Sequence, residues 1–262
     1  MTQTLIADRL AFARGMIREA GEVALAHFNR RDKLEIITKS DGQDLVTAAD
    51  RGVEDFIRAA IATSFPDDGI IGEEHGANFG ASGFTWILDP IDGTSVFLHG
   101  LTNWTVVVSL YHGENVVAGL ILQPAHDTLY YASAGQGGFV ARGDEVTPMR
   151  VSQIPFTSSF IAVGMGDPAQ MGQFLTNVLA NGGAHVRNGS SALTLALVAA
   201  GNFGGFYEGL LYIWDMAGGM LMVREAGGVT GPLPLLSDYD KRVPCFAASA
   251  LCAEPLKACI PA

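Results

Sequence analysis

The sequence of 262 residues predicts an α+β protein built in layers. Two segments of helical periodicity lead the chain, a series of short β-type runs separated by turn residues follows, and the last third alternates strand-like with helix-like runs. With 48% hydrophobic residues, the chain is long enough for one large core or two closely joined ones.

In "MTQTLIADRLAFARGMIREAGEVALAHF", Leu10, Ala13, Ile17, Ala20, Ala24 and Phe28 recur at steps of three and four, the spacing of one face of a long amphipathic helix. A polar loop, "TKSDGQDLVT", follows. Thr47 is placed as an N-cap, and Val53, Phe56, Ile57, Ala60 and Ile61 line a second helical face that ends before Pro66. From "GIIGEEHG" onward the runs "FTWILD", "WTVVVSLY", "NVVAGLIL", "TLYYASA" and "GGFVARGD" are close enough to form a hairpin-rich, largely antiparallel sheet. After about Pro155, "SFIAVGM", "AQMGQFLTNVLA", "SALTLALVAAG" and "WDMAGGMLMVREAGG" suggest strands alternating with helices. The expected organisation is an N-terminal part, 1–150, with the helices and the antiparallel sheet, and a C-terminal α/β half, 151–262, joined in one globular unit.

Charge narrows the function. Lys plus Arg total 16 against 27 Asp plus Glu, a formal net charge of -11, and no dense basic run occurs. A nucleic-acid backbone is therefore not an expected partner. An anionic small molecule can bind only where a metal or aligned backbone N–H groups reverse the local sign. Asp8, Arg9, Arg14, Arg18, Glu19 and Glu22 break the N-terminal segment, so it has no signal-peptide apolar core, and no stretch reaches the ~20 apolar residues of a membrane span. Cys245, Cys252 and Cys259, an odd count without a Cys-x-x-Cys pair, read as buried packing residues. A reducing, cytoplasmic setting is expected.

The chemistry-bearing residues are carboxylates at element ends: Asp50 in "DLVTAAD", Glu73 in "IIGEEHG", Asp89 and Asp92 in "WILDPIDGT", and Asp215 in "YIWD". Taken singly, each has an ordinary reading. Asp50 can complete a capping box with Thr47, Asp215 can cap the helix after it, Glu73 can be a solvated loop charge, and the Asp-Pro-x-Asp-Gly run can be turn chemistry. Taken together, Glu73, Asp89 and Asp215 each follow a strand-like apolar run, so they converge on a sheet edge in a chain with few cations to pair them. Hard divalent cations, Mg²⁺ in particular, take such oxygen ligands. The Asp89-x-x-Asp92 spacing allows two carboxylates and the carbonyl of Ile91 to face adjacent metals, and Gly93 and Thr94, at the start of a short helix, offer N–H groups to an anion.

These segments, "DLVTAAD", "GEE", "WILDPIDGT" and "WDMAGGMLMVREAGG", resemble in order the signature of the inositol monophosphatase family of Mg²⁺-dependent, lithium-sensitive phosphatases, from Lys39 to Gly228. The resemblance implies an α-β-α-β-α layered sandwich of the inositol monophosphatase/fructose-1,6-bisphosphatase type, a homodimer, and two or three Mg²⁺ per site, with Mn²⁺ as a substitute and Ca²⁺ and Li⁺ as inhibitors. It implies that Glu73, Asp89 and the Ile91 carbonyl hold a first metal and that Asp89 bridges to a second held by Asp92 and Asp215. Thr94, hydrogen-bonded to Asp50, would orient the attacking water with help from Glu73. Gly93, Thr94 and Lys39 would hold the phosphate.

For the leaving group the resemblance points to Asp92, Gly189, Ser190, Ser191 and Glu208. Glu208 suits a polyol, because a carboxylate accepts hydrogen bonds from vicinal hydroxyls, and it equally suits the ammonium of histidinol phosphate. Ser190 stands where many histidinol phosphatases carry Asp. Val96 stands where the family commonly has Asn. The expected function is hydrolysis of a small phosphate monoester, inositol monophosphate first, with histidinol-phosphatase or fructose-1,6-bisphosphatase activity as alternatives and a regulatory binding protein that kept the fold as the non-enzyme alternative.

Overall fold

The computed structural model describes residues 2–31, 36–38 and 45–261, with the backbone alone for 36–38 and 45–47. Lys39 lies outside the described residues. The chain opens with helix α1 (Thr2–Phe28), a short pair β1 (Ile36–Thr38) and β2 (Leu45–Thr47), and helix α2 (Ala48–Ser64). Then come β3 (Gly69–Gly72), β4 (Gly76–Asn78), β5 (Phe84–Asp92), α3 (Thr94–Leu98), β6 (Thr105–His112), β7 (Asn115–Gln123), β8 (Thr128–Ser133), β9 (Gly138–Arg142) and β10 (Glu145–Pro148). The remainder is β11 (Phe160–Val163), α4 (Pro168–Ala180), β12 (Ala184–Val186), α5 (Ser191–Ala199), β13 (Gly205–Leu211), α6 (Ile213–Glu225), β14 (Val229–Thr230), β15 (Val243–Ala248) and α7 (Ala250–Cys259).

Two large sheets result. The first has eight strands in the order β10-β9-β8-β7-β6-β5-β3-β4, antiparallel except for the β3–β5 pair, and the second has five in the order β12-β11-β13-β15-β14. Helices α1 and α2 cover one face of the first sheet, α5 and α6 fill the space between the sheets, and α4 with α7 covers the far face of the second. This is the α-β-α-β-α sandwich. Each layer boundary is apolar: Ala13, Ile17, Ile57, Trp86 and Trp104 close the first, Leu195, Met220 and Val198 the middle, Phe174, Cys252 and Leu256 the last.

The buried face of α1 carries Ala13, Ile17, Ala20, Ala24 and Phe28, as the periodicity predicts. The middle layer depends on two adjacent glycines. A Cβ on Gly218 would lie 2.7 Å from Ser109 Oγ and 3.1 Å from Gly119 Cα, and one on Gly219 would lie 2.5 Å from Leu195 Cβ. In "WDMAGGM", then, one glycine brings α6 against the first sheet and the next brings it against α5. All three cysteines are free and buried. No helix among the described residues is long and apolar enough to cross a membrane.

Three expectations are corrected. The "TKSDGQDLVT" stretch is not loop at its ends, because Ile36–Thr38 pairs antiparallel with Leu45–Thr47; three-residue strands are too short for a period-two pattern to show. The Asp89–Asp92 step is a bulge inside β5 and not a turn after it, since Asp89 pairs with Val107 while Asp92 pairs with Thr105. Asp215 sits in the first turn of α6 and not at a strand end.

Candidate metal centre

The bulge explains how two aspartates three positions apart share a site. In a regular strand, residues i and i+3 point to opposite faces. One extra residue between Asp89 and Asp92 resets the alternation, and Pro90, which has no N–H to lose from the ladder, suits such a position. Carboxylate oxygens of Asp89, Asp92 and Asp215 then lie within 4.8 Å of one another.

Each carboxylate is oriented by backbone. Asp89 accepts from the Ile91 N–H at 3.0 Å. Asp92, the last residue of β5, turns its carboxylate to the start of α5, accepting from the N–H groups of Ala192 (2.8 Å) and Ser191 (3.3 Å), from the Ser190 hydroxyl, and from Thr105 Oγ1 at 3.5 Å. Asp215 accepts from the Tyr212 N–H at 2.9 Å and so also caps its own helix. Capping and convergence on the site are therefore not exclusive readings of Asp215.

The electrostatics are costly without a cation. Asp89 is 2% exposed, and burial, then the charges of Glu73, Asp92 and Asp215, push its carboxyl well above the usual range. Burial, with Asp92 and Glu73, does the same to Asp215. Burial also raises Asp92, against hydrogen bonds from Ser190, Ala192 and Ser191 that favour its ionised form. Among the described residues none of the three makes a salt bridge. At about 4 Å in a medium of effective dielectric about 20, two such charges repel by roughly 4 kcal/mol. The all-oxygen set fits a hard divalent cation, which removes that repulsion.

Around the trio stand the other predicted residues. Glu73 follows β3, half-buried, its N–H donating to the Leu88 carbonyl at 3.2 Å; it lies outside the 4.8 Å trio but close enough to act on Asp89 and Asp215. Thr94 Oγ1 is 3.2 Å from Asp50 Oδ1, in the first turn of α2, and 3.1 Å from the Ile91 carbonyl. Gly93 precedes α3 at φ 93°, a conformation that favours glycine. Val96 fills the space beside both loops: a Cβ on Gly93 would lie 2.9 Å, and one on Gly189 2.5 Å, from its methyl groups.

Ser191 joins the carboxylate trio to a neighbouring cavity. Its N–H meets Asp92 and its hydroxyl donates to Glu208 Oε2 at 2.7 Å. The cavity, about 50 Å³, is lined by Arg187, Asn188, Gly189, Ser191 and Glu208 among others. Ser190 is buried and its hydroxyl is engaged within the protein, donating to Asp92 and capping α5 at the Leu193 N–H. The Asn188 Nδ2, a buried donor, has no hydrogen-bond partner among the described residues.

Sequence reasoning missed Thr105, Arg187, Asn188 and the buried Glu54. Only Glu54 left a signal, an acidic residue within the apolar stripe Val53, Ile57, Ile61.

Burial raises Glu208 to about 7, with Ser191 and the Met165 N–H opposing. A carboxyl whose folded pKa exceeds its unfolded value of 4.5 contributes full stability below that value and loses it as pH rises through about 7. Glu208→Gln should therefore melt progressively higher than the parent as pH rises from 4.5 to about 8 in metal-free buffer, by on the order of 1–3 kcal/mol at the upper end. A difference independent of pH would contradict this.

The chain matches the inositol monophosphatase family over residues 6–233. It is 38% identical over 229 residues to an inositol-1-monophosphatase of Mesorhizobium japonicum, covering 85% of this chain and 82% of that one. To the Nus factor SuhB of Haemophilus influenzae it is 36% identical over 231 residues, covering 85% and 82%. The crystal structure of the extragenic suppressor protein suhB from Bartonella henselae superposes with a TM-score of 0.87 at 32% identity, covering 96% of this chain and 98% of that one.

Proposed function

The chain belongs to the inositol monophosphatase family, and from that premise we propose that it hydrolyses inositol monophosphate with Mg²⁺ held by Glu73, Asp89, the Ile91 carbonyl, Asp92 and Asp215. It is a phosphatase of a metal-dependent family, acting on small phosphate monoesters. The observation that carries the finer reading is the Ser191 bridge, which sets a buried carboxyl, Glu208, beside the carboxylate trio at the distance of one side chain.

When bound, the cations neutralise charge on the phosphoryl oxygens and acidify water at neutral pH. The protein's own groups do the rest. The N–H groups of Gly93 and Thr94 hold the phosphate, a role that the family resemblance also gives to Lys39, which lies outside the described residues. Thr94 Oγ1, donating to Asp50 Oδ1, keeps a lone pair for a proton of the attacking water, and Asp50 is the acceptor to which the threonine proton moves. Inhibition by Li⁺ and Ca²⁺ and a homodimeric active form are expected on family membership.

Glu208 favours a polyol over an ammonium. Near neutral pH its carboxyl both donates and accepts, which matches vicinal hydroxyls. The Arg187 charge acts on it from the same cavity and disfavours a second cation there. Asn188 Nδ2 adds a donor for a leaving-group oxygen. A regulatory protein without catalysis would not need a full set of oriented carboxylates.

The test is phosphate release from inositol 1-phosphate, histidinol phosphate, fructose 1,6-bisphosphate and 3′-phosphoadenosine 5′-phosphate, on the parent and Glu208→Gln, at two salt concentrations. Inositol 1-phosphate should turn over best, and Glu208→Gln should cost about 1–2 kcal/mol in kcat/KM for it. A parental preference for histidinol phosphate, with a salt-sensitive loss in the variant, overturns the substrate assignment and leaves the phosphatase chemistry standing.

A further inference from the structure

We infer that Glu54 is a positioning residue for the metal centre: its buried carboxylate clamps the turn that carries Glu73 to helix α2. The inference rests on the reading of Glu73 as a metal ligand. Glu54 is fully buried and stands one helical turn after Asp50 on the same face of α2. It spends no oxygen on its own helix backbone. Oε2 accepts from the Glu74 N–H at 2.8 Å, and Oε1 accepts from the His75 N–H at 3.1 Å and from Arg58 Nε at 2.7 Å. Arg58 also donates to the Gly76 carbonyl, so both ends of the turn are tied to α2.

The peptides on either side of Glu73 are thereby fixed to different elements. Its own N–H goes to the Leu88 carbonyl of β5, the residue before Asp89, and the next N–H goes to Glu54 of α2. The position of the Glu73 Cα relative to Asp89 is set by that pair. The sequence accommodates the clamp with glycine at 72, where a Cβ would lie 2.1 Å from Glu54 Oε1. The same helix face presents Asp50 to Thr94 Oγ1, so α2 aligns the Glu73 turn and the Thr94 hydroxyl together. Partners that orient a ligand in this way typically control about 10- to 100-fold in metal affinity.

The experiment is Mn²⁺ binding in the absence of substrate, by calorimetric titration, on the parent, Glu54→Gln, Glu73→Gln and Asp68→Asn, with a melting curve for each. Gln keeps the shape but loses one acceptor and the charge, so Glu54→Gln should weaken Mn²⁺ binding about 10-fold or more, and kcat at saturating metal should stay within about threefold of the parent. Asp68→Asn leaves buried Arg9 without its counter-charge and with one acceptor instead of two; it should lower the melting temperature and keep the parent's Mn²⁺ affinity, which separates positioning from general stability. Parental Mn²⁺ affinity in folded Glu54→Gln, with a loss in Glu73→Gln, overturns the inference. Parental affinity in Glu73→Gln overturns the ligand reading beneath it. If Glu54→Gln does not fold, Gly72→Ala, whose methyl displaces the Glu54 carboxylate, carries the same expectation and the same contradiction.

Discussion

Asp89→Asn is expected to reduce metal-dependent phosphate release by about 10³-fold or more, since losing ~4 kcal/mol of charge stabilisation corresponds to that factor. The metal-free variant is expected to be at least as stable as the parent. Both results follow from one fact, that Asp89 is 2% exposed and shares its surroundings with Asp92 and Asp215 at 4.8 Å or less. In the metal-free protein its charge is a burden, raised in pKa first by burial and then by Glu73 and the other aspartates. Asparagine removes that charge and keeps an oxygen to accept from the Ile91 N–H. With Mg²⁺ the order reverses, because binding to the native state alone stabilises the parent by mass action and the variant has lost the ligand. Melting curves with and without Mg²⁺ decide the matter: equal stabilisation of both proteins would remove Asp89 from the metal centre.

Thr94→Ala is expected to lower kcat by about 10²-fold or more, the size of general acid–base assistance, with little change in metal affinity. The hydroxyl is 3.2 Å from Asp50 Oδ1 and 3.1 Å from the Ile91 carbonyl. It can donate to only one of them at a time, and donation to Asp50 leaves a lone pair toward the site. Alanine keeps the N–H at the start of α3 and deletes only that route, so the loss should appear in kcat and not in Mn²⁺ binding. A variant with near-parental kcat would remove Thr94 from the proton path, and a variant with weakened Mn²⁺ binding would place it on the metal side instead.

Most of the fold was legible because its elements carry local signals. The α1 face announces itself at period 3.6, and the runs that became β5 to β9 announce themselves as short apolar β-type runs between turn residues, buried along nearly their whole length in β5, β6 and β8. What stayed hidden depends on pairing across the sequence. The β5 bulge exists only relative to β6, so the residues from Asp89 to Asp92 read as a turn. The bidentate bond of Arg9 to Asp68 spans 59 positions, and Arg9 lies beside a helix face whose pattern gives no sign of a partner. Hydrogen bonds from Arg9, Ser82 and Trp86 outweigh burial and hold the Asp68 carboxyl below its ordinary range.

The site divides in the same way. Asp89, Asp92 and Asp215 were legible as carboxylates too numerous for the cations near them. Their orientation was not, since Asp92 is held by the start of α5, almost a hundred positions away. Ser190 illustrates the limit: the sequence offered it as a substrate contact, and only the fold showed its hydroxyl used as a helix cap and as the partner of Asp92.

The most direct measurement is phosphate release from inositol 1-phosphate by the purified parent as free Mg²⁺ is titrated from a chelated start. Release should be absent under chelation, rise and saturate with Mg²⁺, and vanish again when the chelator is restored. Release that survives chelation, or none at any Mg²⁺ concentration, would contradict a Mg²⁺-dependent inositol monophosphatase centred on Asp89, Asp92 and Asp215.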